Sequence, residues 1–556
     1  MRWHFTGLLL CTLLSDWAGA MPGEEYHEDL SLRPLRDGRL AAKFSFKTLL
    51  NGMNPRAPEA LDTDDDSQHY TLFPLALGQV LREYAVTELH LNLNAGRWDY
   101  DRWGPPEEPS VGTGAELWAW MGEGAPSSID ARWKGTQNAL AGLFCASLGG
   151  MDTQRTTTPT RAFPPTGDLP LLPSPNVHRL RHATLPAEHV CTENLTPFLK
   201  LLPCPAQAGV AALLEPHRIF DADWHGLGVD VRWIAGQGVE LKLTVQAVFD
   251  PVRTSPEERR DWTFRSIFDR TIPRACPVAS SSHVRVALPP SEGYTLEPEP
   301  SSQTDTSAVY EISRESPELD IAMRWPRESK FVYPLDLMSN PSSDFSVLRA
   351  LKGASQTQGE LSLVLRNNLP VTQRVLYLET MPWHVEFYLH TLRVFCEYNE
   401  PYHLFGNMTY TLPVPHATPA LLQAVFTLPP QTTLRVRMNV RKSFLRYTEH
   451  PPDAQRGWDL PPAVFVPLSE GGTRASARVY TPTLLVDLAT PDFSMPYNVI
   501  IMTCTLIALI FGSLFNYLTR RFVVVKLDES EGTKDEAVSG SERGGLLVRL
   551  LRRRRA

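Results

Sequence analysis

The residues in this chain able to do chemistry are few, and their spacing limits what that chemistry can be. Among seven cysteines, Cys11 lies in an N-terminal apolar leader and Cys504 in a C-terminal apolar run. Cys145, Cys191, Cys204, Cys276 and Cys396 remain, and an odd number in an oxidising compartment implies a free thiol or a bond to another chain. No C-x-x-C occurs, so neither a redox pair nor a zinc ribbon is indicated. No G-x-S-x-G elbow, H-E-x-x-H or P-loop is present, and no cofactor motif. His384, Glu386 and His390 look like a metal cluster but alternate along an expected strand, where a polar face explains them. Trp98, Trp103, Trp118 and Trp120 offer either an aromatic ligand platform or, as large aromatics more often do, a core. Asn194-Leu195-Thr196 and Asn407-Met408-Thr409 are sequons, expected on surface loops if glycosylated.

The elements that must hold these residues read as follows. Met1–Ala20 has the form of a cleavable leader (1–20), with Arg2, an apolar stretch and Ala18-Gly19-Ala20. Val499 to Leu518 has no Asp, Glu, Lys or Arg, and such a run spans a bilayer as a helix. The boundaries expected are a luminal α+β domain over 21–250, a β-sandwich region over 251–496, a transmembrane helix over 497–519 and a basic tail over 520–556. Ten Lys/Arg follow from Arg520 onward, the positive-inside pattern of a type I protein. The tail has three readings, an amphipathic contact with an anionic membrane surface, a solvated basic tail and a retrieval signal. The formal net charge of −8 gives no reason to expect nucleic-acid binding.

Within the first domain, Leu30, Leu32 and Leu35 lead to the turn Asp37-Gly38, and Leu40, Ala42, Phe44 and Phe46 alternate after it, a hairpin. Pro74 to Tyr84 has helical spacing, with Leu77, Val80 and Leu81 on one stripe. Leu89, Leu91 and Leu93 form a strand. Ser128 or Asp130 caps a second helix reaching Cys145. Leu241 to Phe249 alternates with period two. Pro289 to Ser307 reads as a loop or linker. Beyond it the strands come close together: Leu361 to Leu365, Val385 to Leu389, Leu434 to Val440 with a basic outer face, and Val479 to Leu488. The fold class expected is mainly β with some α, an N-terminal α+β domain and a C-terminal antiparallel β-sandwich, plus one transmembrane helix.

Several strings, in order, resemble the PIG-T family, a subunit of the glycosylphosphatidylinositol (GPI) transamidase. They are His69-Tyr70-Thr71-Leu72-Phe73-Pro74, Trp103-Gly104-Pro105-Pro106, Phe144-Cys145-Ala146-Ser147-Leu148, Cys191-Thr192-Glu193-Asn194-Leu195-Thr196-Pro197 and Thr490-Pro491-Asp492-Phe493-Ser494-Met495-Pro496-Tyr497-Asn498. The resemblance implies a non-catalytic scaffold in the endoplasmic reticulum membrane with its ectodomain in the lumen. Its implied partners are a caspase-like PIG-K subunit that carries the Cys/His pair, together with PIG-U, PIG-S and a GAA-type subunit, the GPI lipid and the proprotein. It also implies an interchain disulfide from Cys191 to PIG-K, leaving the pairing of Cys145, Cys204, Cys276 and Cys396 open. Asp492, Ser494, Asn498 and Gln455 are implied as the GPI head-group site, although Asp492 and Asn498 also suit a helix cap. A different class of function, a free-standing type I receptor or lectin-like glycoprotein, is the alternative.

Overall fold

The computed structural model describes residues 23–520, apart from 64–69, 205–206, 291–292, 316, 336–340, 354, 397–403, 451–456, 469–477 and 491–493. The leader and the basic tail lie outside the described residues. The chain forms two units, one ending at Thr490 and one beginning at Pro491.

The expected hairpin forms. β1 (Glu24–Pro34) and β2 (Leu40–Asn51) pair antiparallel, with Pro34 opposite Leu40. Gly38 turns with φ +82°, and a Cβ there would meet the Phe331 ring at 2.7 Å, so glycine serves both the turn and the close approach. Helix α1 (Leu75–Glu83) follows, then β3 (Val86–Ala95) and β4 (Gly114–Gly122). Helix α2 (Ile129–Phe144) starts where Ser128 accepts a hydrogen bond from the Ala131 N–H and ends on Cys145 in the left-handed region at φ 52°. The chain continues through β5 (Thr156–Thr157), β6 (His178–Leu185), helix α3 (Thr192–Lys200), β7 (Trp224–Ile234), β8 (Gly238–Phe249) and β9 (Trp262–Thr263). Next come β10 (Ser281–Ala287), β11 (Thr295–Glu297), β12 (Ser302–Gln303), β13 (Ser307–Glu311) and β14 (Ala322–Arg324).

Eleven of these strands make one sheet in the order β12-β13-β10-β1-β2-β8-β7-β3-β4-β6-β5. β10 joins β1 in parallel, with Val284 beside Leu30. A division at residue 250/251 does not match this arrangement. Residues from Trp262 to Trp325 bury their apolar side chains in the first core, and the stretch 289–307 carries the short strands β11 and β12 instead of linking two domains. The physical reason is that β1 has an open edge, and β10 satisfies its backbone groups from 250 residues away.

The second set of strands is β15 (Phe345–Lys352), β16 (Gln358–Asn367), β17 (Gln373–Met381), β18 (Val385–Phe387), β19 (Arg393–Cys396), β20 (Phe405–Thr411), β21 (Ala420–Leu428), β22 (Thr433–Lys442), β23 (Trp458–Leu460), β24 (Val464–Leu468), β25 (Val479–Tyr480) and β26 (Leu484–Val486). The last expected strand is two pieces, because Pro482 has no N–H to donate and interrupts it. Two antiparallel sheets result, β15-β16-β22 with β18 and β19, and β20-β21-β17-β24-β25. They are the expected sandwich: Leu361, Leu363, Leu365, Val436 and Met438 meet Tyr377, Leu422, Phe426 and Phe465.

The first unit is thus layered. Helices α1–α3 cover one face of the large sheet through Leu77, Trp133, Leu140, Phe144 and Phe198. Its other face meets the sandwich: Trp98, Trp103, Trp118 and Trp224 pack with Leu376, Leu378, Leu421, Val425 and Val464. Trp98 lies edge-on to Trp103 and Trp224, with centroids 5.2 and 5.0 Å apart. Three of the expected tryptophans therefore sit in a core at the joint between sheets, with Trp120 packed against it. The second unit holds helix α4 (Ser494–Thr519), of which Tyr497–Thr519 contains an 18-residue stretch of mean hydropathy 2.2 and is long and apolar enough to cross a membrane.

Candidate functional site

Cys191 is the residue immediately before α3, in extended conformation, and Asn194 stands one turn into that helix. The Cys191 N–H donates to Asn194 Oδ1 at 2.7 Å. Asn194 Nδ2 donates to the carbonyls of Phe144 at 2.9 Å and Cys145 at 3.1 Å. One amide thereby satisfies an orphan N–H at the start of α3 and two carbonyls at the end of α2. Asn194 is 1% exposed. The surface-loop position expected for this sequon is not what forms: the Asn194 amide is buried, and its Nδ2 is engaged by the two carbonyls. Asn407 is accessible: it is exposed, at φ 48°, within the irregular part of β20.

Cys204 and Cys276 form a disulfide across 72 residues of sequence. Cys145, Cys191 and Cys396 carry no disulfide within the chain; Cys145 is exposed and the other two are half-buried. The Glu193 carboxylate, accepting a hydrogen bond from the Cys191 thiol, and partial burial push that thiol up from its ordinary range. Sequence alone left the internal pairing open; among the described residues the first unit closes one pair and leaves three thiols.

Of the lipid-site residues, Asp492 and Gln455 lie outside the described residues. Ser494 is the first residue of α4, and Asn498 lies exposed inside its first turns, too far in to be the N-cap. The hydroxyls of Thr503 and Thr505 donate to the carbonyls of Val499 and Ile501, so the helix satisfies its own polar groups, as a spanning helix must. β23 pairs with β26 antiparallel, Trp458 opposite Val486 and Leu460 opposite Leu484. The two chain segments that lead toward Gln455 and away to Asp492 therefore leave the same strand pair at the same end.

A polar network buried at the joint was not foreseen. His90, Asn92 and Asn94 alternate with the leucines of β3 and read as a solvent face, yet all three are buried. His90 Nδ1 bonds Asp230 at 2.6 Å, and Nε2 bonds Glu88 at 2.8 Å. Thr166 Oγ1 lies 3.4 Å from Nε2, which gives the outline of a nucleophile, base and carboxylate. The arrangement cannot work that way. Burial lowers the His90 pKa, but the two carboxylates outweigh it and raise the value, and with each ring nitrogen bonded to a carboxylate neither is free to take a proton from Thr166. The Thr166 hydroxyl donates instead to Glu88 at 3.1 Å. Nearby, Glu116 takes hydrogen bonds from His182 at 3.2 Å and from the Tyr480 hydroxyl at 2.8 Å. Arg478 lies over the rings of Phe163 and Trp118 and donates to Ser110 at 3.1 Å. This network fastens segment 478–480 to the large sheet.

The histidine at the edge of the sandwich also differs from expectation. β18 is only three residues long, and His384 is 1% exposed, so it is not on a polar face. Burial, with Arg155 and His450 nearby, lowers its pKa to about 4, and the ring is neutral near pH 7. No three His, Cys, Asp or Glu side chains among the described residues are grouped to hold a metal ion.

The profile of the Gpi16 family, described as "Gpi16 subunit, GPI transamidase component", matches residues 8–261 and 251–544. A human protein named as a GPI-anchor transamidase component, PIGT, is 34% identical, with 90% of this chain and 91% of that protein covered. The PIG-T homolog of Schizosaccharomyces pombe is 34% identical over 82% of this chain and 83% of its own length. GPI16 of Saccharomyces cerevisiae, also named as a GPI transamidase component, is 29% identical over 90% and 89%. On matches that run nearly end to end, the chain belongs to the Gpi16 family of GPI transamidase components.

Proposed function

We propose that this chain is the scaffold subunit of the GPI transamidase, the endoplasmic reticulum complex that attaches GPI anchors to proprotein C-termini. It holds the caspase-like PIG-K subunit through a disulfide at Cys191 and works beside PIG-U, PIG-S and a GAA-type subunit. The acyl transfer belongs to the Cys/His pair of PIG-K, and this chain supplies position. The observation that carries the reading is Cys191 itself, a half-buried thiol with no partner cysteine among the described residues, fixed at a helix start by the Asn194 clamp. Its raised pKa makes it a slow leaving group in thiol–disulfide exchange, which favours a lasting bond over a shuttling one. A covalent tether keeps the catalytic subunit at high effective concentration beside the membrane.

The lipid site is read at the start of α4, with the ectodomain lumenal and the helix crossing once. Asp492 would meet the ethanolamine ammonium, and Ser494, Asn498 and Gln455 would hydrogen-bond phosphate or sugar hydroxyls.

Non-reducing electrophoresis of the assembled complex tests the scaffold reading. Cys191→Ser is expected to abolish the covalent band that contains the catalytic subunit, whereas Cys145→Ser and Cys396→Ser retain it. An unchanged band in Cys191→Ser refutes the covalent role.

A further inference from the structure

The outer face of the sandwich sheet that points away from the joint is unusually basic for a chain of formal net charge −8. Along β22, Leu434, Val436, Met438 and Val440 fill the core, and Arg435, Arg437, Asn439 and Arg441 are exposed. Neighbouring strands add exposed Arg366 on β16 and Arg393 on β19. Two carboxylates answer them weakly: Glu360 lies 3.9 Å from Arg437, and Glu386 lies 3.9 Å from Arg441. Among the described residues, Arg366, Arg393 and Arg435 have no carboxylate partner within 4.0 Å.

The strand register makes the arrangement costly when left bare. Arg393 stands directly opposite Arg437, and Phe395 directly opposite Arg435. Like charges facing each other across a strand pair destabilise it. Phe395, 46% exposed, has the Arg437 guanidinium 5.7 Å from its ring centroid, and Leu348, 58% exposed, continues the row through Val364 and Arg435. Arginines and an aromatic ring around apolar side chains match the composition of protein interfaces more than that of a solvated surface.

We propose that this face is a docking surface for an acidic, extended segment of another protein chain in the complex. Alternate side chains of a strand repeat at roughly 6.8 Å. Arg435 and Arg437 stand one such repeat apart, and Arg441 stands two repeats beyond Arg437, with Asn439 between them. A segment with Asp or Glu at every second position presents carboxylates at the same interval, each able to meet a guanidinium in a two-pronged hydrogen bond. Phe395 and Leu348 cover apolar side chains of the same segment, contacts that a free phosphate or a lipid headgroup does not offer. The proposal rests on the chain being part of an assembly and is independent of the Cys191 bond.

Two measurements on full-length protein test it. An arginine-selective dicarbonyl reagent is applied to the intact complex and to the isolated full chain in the same detergent, and modified peptides are quantified. Arg435 and Arg437 are expected to react at least fivefold more slowly in the complex; equal rates overturn the proposal. Protection that appears when the isolated chain is placed on vesicles with anionic lipid, and that equals the protection in the complex, also overturns it, in favour of a membrane contact. Second, R437K keeps the charge and supplies an amine for zero-length carbodiimide coupling. The expected product joins Lys at this position to an Asp or Glu of another chain, while coupling only to Glu360 of the same chain counts against the proposal. The charge reversal R393E/R435E/R437E is expected to reduce recovery, after reduction of disulfides, of the chain that the lysine coupling identifies at least tenfold, with the triple lysine variant retaining it. If the reversed protein fails to form its Cys204–Cys276 bond, the lysine coupling decides alone. The Cys191→Ser gel can fail while the coupling succeeds, and the reverse, so the two readings fall separately.

Discussion

Glu28 gives the sharpest quantitative prediction. It lies on β1 and is 1% exposed. Its Oε1 accepts hydrogen bonds from the Ser282 hydroxyl at 2.6 Å and the Val210 N–H at 3.1 Å, and Oε2 is buried with no partner. Burial raises the carboxyl pKa from 4.5 to about 7, against the lowering effect of those two donors. A group whose folded pKa exceeds its unfolded value disfavours the fold once it must ionise. Below pH 4.5 both states are protonated and no penalty exists; above pH 7 both are ionised and the penalty is complete. A difference of about 2.5 units at 1.36 kcal/mol per unit is roughly 3 kcal/mol. Glu28→Gln keeps an oxygen for Ser282 and Val210 and removes the charge. The variant is therefore expected to be about as stable as the parent at pH 4.5 and more stable by up to about 3 kcal/mol at pH 7.5. Chemical unfolding of the full-length protein, followed by tryptophan fluorescence across that range, reads the difference directly. Parallel pH profiles for the two proteins would refute the argument, because the buried carboxyl would then not be the source of the pH dependence.

Two further outcomes follow from the cysteines and the sequons. Removing the Cys204–Cys276 bond frees a loop closed across 72 residues, and the chain-entropy relation puts the loss at about 4 kcal/mol, read as a lower denaturant midpoint for the double serine variant. Asn194→Gln is expected to leave glycan-dependent gel mobility unchanged while lowering thermal stability, because the longer amide cannot span Cys191, Phe144 and Cys145. Asn407→Gln is expected to change mobility and leave stability near the parent value. A mobility change with Asn194→Gln, or none with Asn407→Gln, would show that burial has been misassigned at those sites.

The local elements were legible because their causes are local. The hairpin at Asp37-Gly38, the Ser128 cap and the leucine alternation of β3 each arise within a dozen residues, and all three form. The strands of the sandwich were legible because period-two alternation is local to each of them, although their central pairings, β16 with β22 and β17 with β21 and β24, join distant stretches of chain. What could not be read came from distant chain. No nearby residue reveals that β10 closes the edge of β1, so a composition shift near Pro289 suggested a linker where the sheet continues. Sequons have the same weakness: three residues define Asn194-Leu195-Thr196, but its burial depends on α2 ending against α3. The lipid-site residues rest on resemblance, with Asp492 and Gln455 outside the described chain and only the β23–β26 pairing bearing on how their flanks converge.

The polar face of the large sheet carries the argument from fold to role. An antiparallel sheet with one apolar face normally leaves its other face in water. Here that face is covered, and each buried charge has a partner drawn from elsewhere in the chain: His90 from Asp230, Glu116 from His182 and Tyr480. Tyr100 completes the fastening by accepting the Tyr480 N–H at 2.9 Å. Such pairs contribute little net stability, since desolvation offsets their attraction, but displacing one partner strands a charge and costs several kcal/mol. The joint is therefore specific and hard to slide. Residues 478–480 are held on the large sheet, and β26 and Leu488 are packed into the sandwich core a few residues later. A joint made of paired charges around tryptophans packed edge to face thus keeps the large sheet and the sandwich in a fixed relation, which is what the proposed scaffold role requires.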